Sequence, residues 1–148
     1  MIWKQSGGKP APEIAVEIAE AAAKEFGVPV GILLGTAERE TNFRKGLKSS
    51  AGAVGVVQFL PRYKRDYYRY AGFEFELEEW EALRGLAAVY VTYASWGAKR
   101  HGLTGADCWR FAVGCHRYGQ NSKTTLNMQN KRVKDIEACM RRNGVWYD

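Results

Sequence analysis

No stretch of this 148-residue chain approaches the roughly 20 uninterrupted apolar residues of a membrane-spanning helix, so no membrane span is expected. Strand signals are weak throughout, and low-complexity tracts and internal repeats are missing. The fold class expected is therefore mainly α. Histidine and cysteine are scarce, with two and three residues. A second Cys/His cluster is lacking, which argues against a structural zinc site, and neither metal nor organic cofactor is implied. The odd cysteine count argues against a closed disulfide framework. Cys108 and Cys115 lie seven apart on one expected helix, roughly 10 Å apart along its axis and too far to bridge. With Cys139 they read as buried free thiols. Residues 1–10 carry no apolar core of a signal peptide. The expectation is a mature fragment or a protein made without a Sec signal.

What is present suits one domain of ordinary size. The apolar share is 46%, enough for a real core. The formal charge is +6 and the pI about 9.3, which suits an anionic polymer partner. Nucleic acid, anionic lipid headgroups and the bacterial cell wall all qualify, and charge alone does not choose.

Residues 1–11 read as a loose arm and residues 12–148 as the domain. Pro12 suits the first turn of a helix, followed by a stripe of Ile14, Ile18, Ala22 and Phe26 that Gly27 stops. A more apolar helix is expected from Val30 to Thr41, buried most of the way round. Residues 49–55 form a small, flexible, uncharged loop that approaches something closely or turns sharply. Val56 to Leu60 reads as the start of a short helix that Pro61 stops. Tyr63, Tyr67 and Tyr70 then share one helical face. A long helix is expected from Glu78 to Trp96, carrying Trp80, Leu83, Ala87, Tyr90 and Ala94, with Gly97 as its end. A basic loop, Lys99 to Gly102, leads to a helix near Asp107 to His116. A last helix is expected from Met128 to Arg142, with Val133, Ile136 and Met140 inward and Gly144 as cap.

Glu40 is singled out by pattern. It lies three residues after Ala37 and seven after Leu33, on the apolar side of its helix. Glu38 is expected to point the other way, toward solvent. Burial and the helix C-terminus both disfavour the charged form of Glu40 and are expected to raise its pKa. A carboxyl that keeps its proton near neutral pH is what glycosidic bond cleavage needs. The competing reading has Glu40 in solvent or paired with Arg44 at i+4.

Gly27-Val28-Pro29, Ile32 to Ala37, Glu40-Thr41-Asn42-Phe43, then Ser50 to Gln58 and Pro61 together resemble the soluble lytic transglycosylase domain. That family is related in fold to goose-type lysozyme. Its helix ends E-S-x-F and is followed by S-x-A-G-A-x-G-L-M-Q and a proline. Here Thr41 replaces the serine, and Val56-Val57 replace Leu-Met. The resemblance implies a lysozyme-like single domain with a catalytic cleft and a short Gly-rich loop region. It implies that Glu40 protonates the glycosidic oxygen between MurNAc and GlcNAc. Glu40 then accepts the C6 hydroxyl proton of the same MurNAc, which closes a 1,6-anhydro ring. One carboxyl serves both steps because no water needs activating, whereas a conventional glycosidase uses two. Asp66, Glu74 and Asp107 are candidates for a second carboxylate only by default.

By the same resemblance Gln58 binds sugar, Thr41 orients Glu40, and Gly52, Ala53 and Gly55 let backbone groups approach the glycan. The family's third motif, A-x-Y-N-x-G, is degenerate in Ala112 to Asn121. His116, Tyr118 or Asn121 are the candidates to replace its tyrosine. Tyr90 reads as core.

The implied partner is the peptidoglycan glycan strand, met in the periplasm or outside the cell, by a monomer by default. The chain reads as phage-encoded, an endolysin or virion enzyme, or as a fragment of a longer bacterial enzyme. A hydrolytic lysozyme on the same fold is the nearest rival. A catalytically idle wall-binding or structural module is the second. A nucleic-acid binder fits poorly, because a helix-turn-helix needs exposed base-reading side chains.

Overall fold

The computed structural model describes residues 11–126 and residue 138. Among these the protein is mainly α, as its patterning predicts. Helices α1 (Glu13–Phe26) and α2 (Val30–Thr41) are followed by an irregular segment and a 3-10 turn at Pro61–Tyr63. Then come α3 (Lys64–Ala71), α4 (Ala82–His101), α5 (Ala106–Tyr118) and the short α6 (Lys123–Leu126). The helix expected from Met128 to Arg142, with Cys139 and Gly144, lies outside the described residues, as do residues 1–10 of the expected arm.

Helix α4 is the axis of the fold, with α1, α3 and α5 packed around it. Leu83, Leu86, Val89 and Tyr90 on α4 are fully buried. Its boundaries differ from those expected. Gly97 does not end it but lies inside it, against the Phe111 ring of α5, where a Cβ would come within 2.9 Å of Phe111 Cδ2. The missing side chain lets two helices approach. The helix ends instead at Gly102, whose positive φ suits a left-handed cap. Lys99, Arg100 and His101, expected as a loop, are its last turn, where cations suit the helix dipole. Residues 78–81, expected in the helix, form the turn before it.

Helix α1 buries Ala15, Val16, Ala19 and Ala22, whereas Ile14 is 46% exposed. The expected stripe is therefore rotated. Four-residue steps drift around a helix of 3.6 residues per turn, and the small side chains face the core. Helix α2 is buried nearly all round, with Ile32, Leu33 and Leu34 at its centre. Asn42 and Phe43 follow it in left-handed conformation, with φ of 51° and 64°. This reverses the chain at once and seats Phe43 in the core.

The short helix expected at Val56 to Leu60 is a tight reversal instead. Val54 and Phe59 pair in both directions, N to O at 2.8 and 3.1 Å. Gly55 (φ 80°) and Gln58 (φ 60°) make the turn between them, which no right-handed helix can accommodate. Val56 and Val57 point into the core at its tip.

Gly52 and Gly55 both have positive φ, but only Gly55 backs onto other chain. A Cβ there would meet the Leu77 carbonyl oxygen at 2.2 Å, whereas nothing lies within 4 Å of one on Gly52. Gly52→Ala is expected to cost about 1 kcal/mol for its backbone conformation. Gly55→Ala adds a backbone clash and is expected to cost about 3 kcal/mol or more. Urea unfolding of the two variants checks the difference, and equal losses would contradict the close approach.

Candidate functional site

The site is built where the C-termini of α2 and α5 meet the 54–59 reversal. Thr41 and His116 each hold one of two consecutive carbonyls of that reversal. Thr41 Oγ1 lies 2.8 Å from Val56 O and 3.1 Å from Ala37 O, so one hydroxyl hydrogen is shared between loop and helix. His116 Nε2 lies 2.6 Å from Val57 O. A carbonyl only accepts, so Nε2 carries the proton and Nδ1 is a bare acceptor. Burial lowers the His116 pKa, only partly offset by the nearby Glu40 charge and the Val57 bond, so the ring is neutral at pH 7.

Glu40 sits between these two anchors. Its side chain is only 7% exposed, turned inward as the pattern predicts. Its partner is neither solvent nor Arg44. Arg117 Nη1 on α5 donates to both Glu40 oxygens, at 2.5 and 2.9 Å. Arg44 turns instead to the Thr41 carbonyl, through Nε at 3.0 Å. Glu38, expected in solvent, is buried at 7% exposure. Near the end of a helix that is enclosed all round, both faces meet protein.

A cavity of about 10 Å³ lies against Glu40, lined by Thr36, Arg39, Tyr90, Val113, His116 and Arg117. That is room for about one water at most. Among the described residues Glu40 is the only carboxylate lining it. Tyr90 is fully buried in the wall, as expected of a core residue. Thr36 Oγ1 donates to Ile32 O at 2.6 Å, so the Tyr90 hydroxyl donates to Thr36 at 2.8 Å. Burial pushes the Tyr90 phenol up.

His116 and Arg117 also line a much larger groove, of about 410 Å³. Its walls also include Tyr63, Tyr67, Tyr70 and Tyr93, together with Arg62, Asp66 and Tyr118 to Gln120. This size suits a small-molecule or sugar subsite. Tyr63 is 44% exposed and presents its ring, with the Arg62 guanidinium 5.0 Å from the ring centre. Tyr67 is buried, and its hydroxyl accepts from Leu60 N at 3.2 Å. Arg117 stands between the groove and Glu40. Two buried polar atoms here, His116 Nδ1 and the Tyr118 hydroxyl, have no hydrogen-bond partner among the described residues. Buried polar groups are nearly always satisfied, so each marks a place for a polar ligand atom or water.

The remaining expected site residues divide. Gln58 Nε2 donates to Gly55 O at 2.9 Å and Leu47 O at 3.1 Å, so its amide braces the loop. Gly52 turns the loop, Gly55 backs onto Leu77, and Ala53 is buried, its N–H bonded to Ser49 Oγ at 3.0 Å. Asn121 is exposed beyond the groove. Among the default carboxylates, Asp66 lines the groove and pairs with Arg69, and Asp107 pairs with Arg110. Glu74 lines a separate surface depression. Cys115 is buried and its thiol is pushed up to about 12 by burial, whereas Cys108 is half-buried rather than buried. Both are free, and among the described residues no cluster of His, Cys, Asp or Glu could hold a metal ion. Arg117 was missed by sequence reasoning. It lies 77 residues from Glu40, and no local pattern joins them.

No family model and no curated protein matches the chain.

Two predictions follow from the anchors. Thr41→Val is expected to cost about 1–3 kcal/mol in urea unfolding, because Val56 O loses its buried donor. For His116 the folded pKa lies below the ordinary 6.5. Its contribution to stability is full above pH 6.5 and is lost as pH falls through the folded pKa. The melting temperature of His116→Gln, followed from pH 7 to 5, is therefore expected to fall less steeply than that of the wild type. Parallel curves would contradict a buried neutral ring.

Proposed function

We propose that the chain is a peptidoglycan lytic transglycosylase, with a lysozyme-like fold and Glu40 as its sole acid/base. The observation that carries this reading is the Glu40 carboxylate, 7% exposed, in a cavity with no second carboxylate among its described lining residues, beside a tyrosine-walled groove. A single carboxyl suits an intramolecular ring closure better than a hydrolysis, which needs a base to activate water. The E-T-N-F and S-A-G-A-V-G-V-V-Q segments support the family resemblance, and the positive charge suits an anionic wall polymer.

In this mechanism the glycan lies in the groove with tyrosine faces against its sugar rings. Glu40, protonated, gives its proton to the leaving glycosidic oxygen. The carboxylate so formed accepts the C6 hydroxyl proton as that oxygen closes on C1. His116 Nδ1 and the Tyr118 hydroxyl are satisfied by sugar hydroxyls. Thr41, Gln58, Gly52, Ala53 and Gly55 act by fixing the loop beside the glycan. The Arg117 pair must open before Glu40 can act. That pair also favours a second reading, a wall-binding module without turnover, in which Glu40 stays closed.

Mass spectrometry of muropeptides released from purified peptidoglycan tests these readings. Products ending in 1,6-anhydro-MurNAc, about 18 Da lighter than reducing ends, are expected from ring closure rather than hydrolysis. Reducing MurNAc ends would make the chain a lysozyme, and no release would favour the idle module. Glu40→Gln is expected to fold and to lose about 1,000-fold or more of the release rate. Near-native release by that variant would remove Glu40 from the mechanism.

A further inference from the structure

We propose that Arg117 is the recognition residue for a carboxylate on the glycan, and that it reaches this ligand by exchanging partners with Glu40. The inference rests on the glycan reading of the groove and names the charged substituent that groove selects. Three observations converge on it. Arg117 lines both the small cavity at Glu40 and the larger groove. Its guanidinium already binds a carboxylate, through one nitrogen, Nη1. Its side chain is 34% exposed, whereas that of Glu40 is 7% exposed, so the arginine is the partner with a path to the ligand.

The groove's charges point the same way. Arg62, Asp66 and Arg117 are its charged lining residues, and Asp66 is engaged by Arg69 at 3.1 Å. Arg62 and, once the ligand takes the place of Glu40, Arg117 then face the ligand as cations. A guanidinium presents five donors and no acceptor, so a carboxylate is the group that satisfies it in two places at once. Exchange of Glu40 for a ligand carboxylate keeps the guanidinium paired throughout. Glu40 is left as the protonated acid from which the proposed mechanism starts, so neither member of the pair is stranded as a bare buried charge. The exchange also removes the side chain that closes the Glu40 cavity, so a glycan bearing a carboxylate opens the site that acts on it. A neutral glycan has nothing to draw Arg117 away. The specificity expected is for glycans carrying a free acid, such as the lactyl group of a MurNAc that bears no peptide stem.

Calorimetry with GlcNAc–MurNAc disaccharide tests this, because the disaccharide lacks the MurNAc–GlcNAc bond and binding is read without turnover. The matched ligand is the same disaccharide with its lactyl acid converted to the carboxamide. Wild type is expected to prefer the acid only about threefold, since Glu40 competes for Arg117. In Glu40→Gln the competitor is gone, and the preference is expected to rise to about tenfold or more. Arg117→Ala is expected to bind the two forms equally, and Arg117→Lys to keep part of the preference. These variants, read as a cycle with the double variant, isolate the exchange from general charge effects. Equal binding of acid and carboxamide by wild type and Glu40→Gln would overturn the assignment of Arg117 and leave the glycan reading standing. A preference that persists in Arg117→Ala would overturn it too. Binding of neither form by any variant would overturn both.

Discussion

Two adjacent carbonyl oxygens, those of Val56 and Val57, hold the site in place. One accepts from Thr41 at the end of α2 and the other receives His116 near the end of α5. Helices far apart in sequence are thereby tied to one edge of a six-residue reversal. The reversal is closed by the Val54–Phe59 pair and braced by the Gln58 amide. The valine side chains at its tip are fully buried, so a slip by one residue would turn them out and leave two carbonyls without donors. Each such loss costs about 1–3 kcal/mol, a large share of a domain's net stability. The position of Glu40, one residue before Thr41, follows from this register.

Strain is concentrated around the same residues. Asn42, Phe43 and Gln58 are the non-glycine residues with positive φ among those described. Two of them follow Thr41, the residue after Glu40, and the third closes the reversal. Such backbone conformations cost about 1–3 kcal/mol each and persist where the surroundings over-determine them. Phe43 is held by burial and Gln58 by its two side-chain bonds. A chain built only for stability has little reason to gather these costs at one helix end. A chain that must present one carboxyl at a fixed place does.

Much of the helical layout was legible in the sequence. Helix α2 could be read to its last residue because it is apolar nearly all round and ends before Asn42. The inward turn of Glu40 followed from its spacing to Leu33 and Ala37. Gly97 misled because a glycine at a close helix–helix approach looks the same in sequence as one at a helix end, and only the Phe111 ring across from it distinguishes them. Val56 to Leu60 misled because the turn depends on a left-handed Gln58, which propensity does not foresee. Glu38 and Arg117 were illegible for a different reason. The burial of one and the partner of the other depend on tertiary contacts, and a 77-residue separation leaves no periodic trace.

The Glu40–Arg117 pair sets the terms on which this site can do anything. An unpaired carboxylate in a cavity of about 10 Å³ is costly, so the resting protein needs a cation there. A proton donor, however, must be free of a guanidinium that holds its oxygens as acceptors. Both demands cannot be met in one arrangement of these residues, so on the proposed reading the ligand resolves them. A neutral ligand would have to break the pair at its own expense. In the exchange proposed for Arg117, an anionic one takes the place of Glu40, and the same binding event opens the path between Glu40 and the groove. On the proposed reading, the conflict between storing a buried charge and using it is resolved by the charge of the ligand rather than by the fold alone.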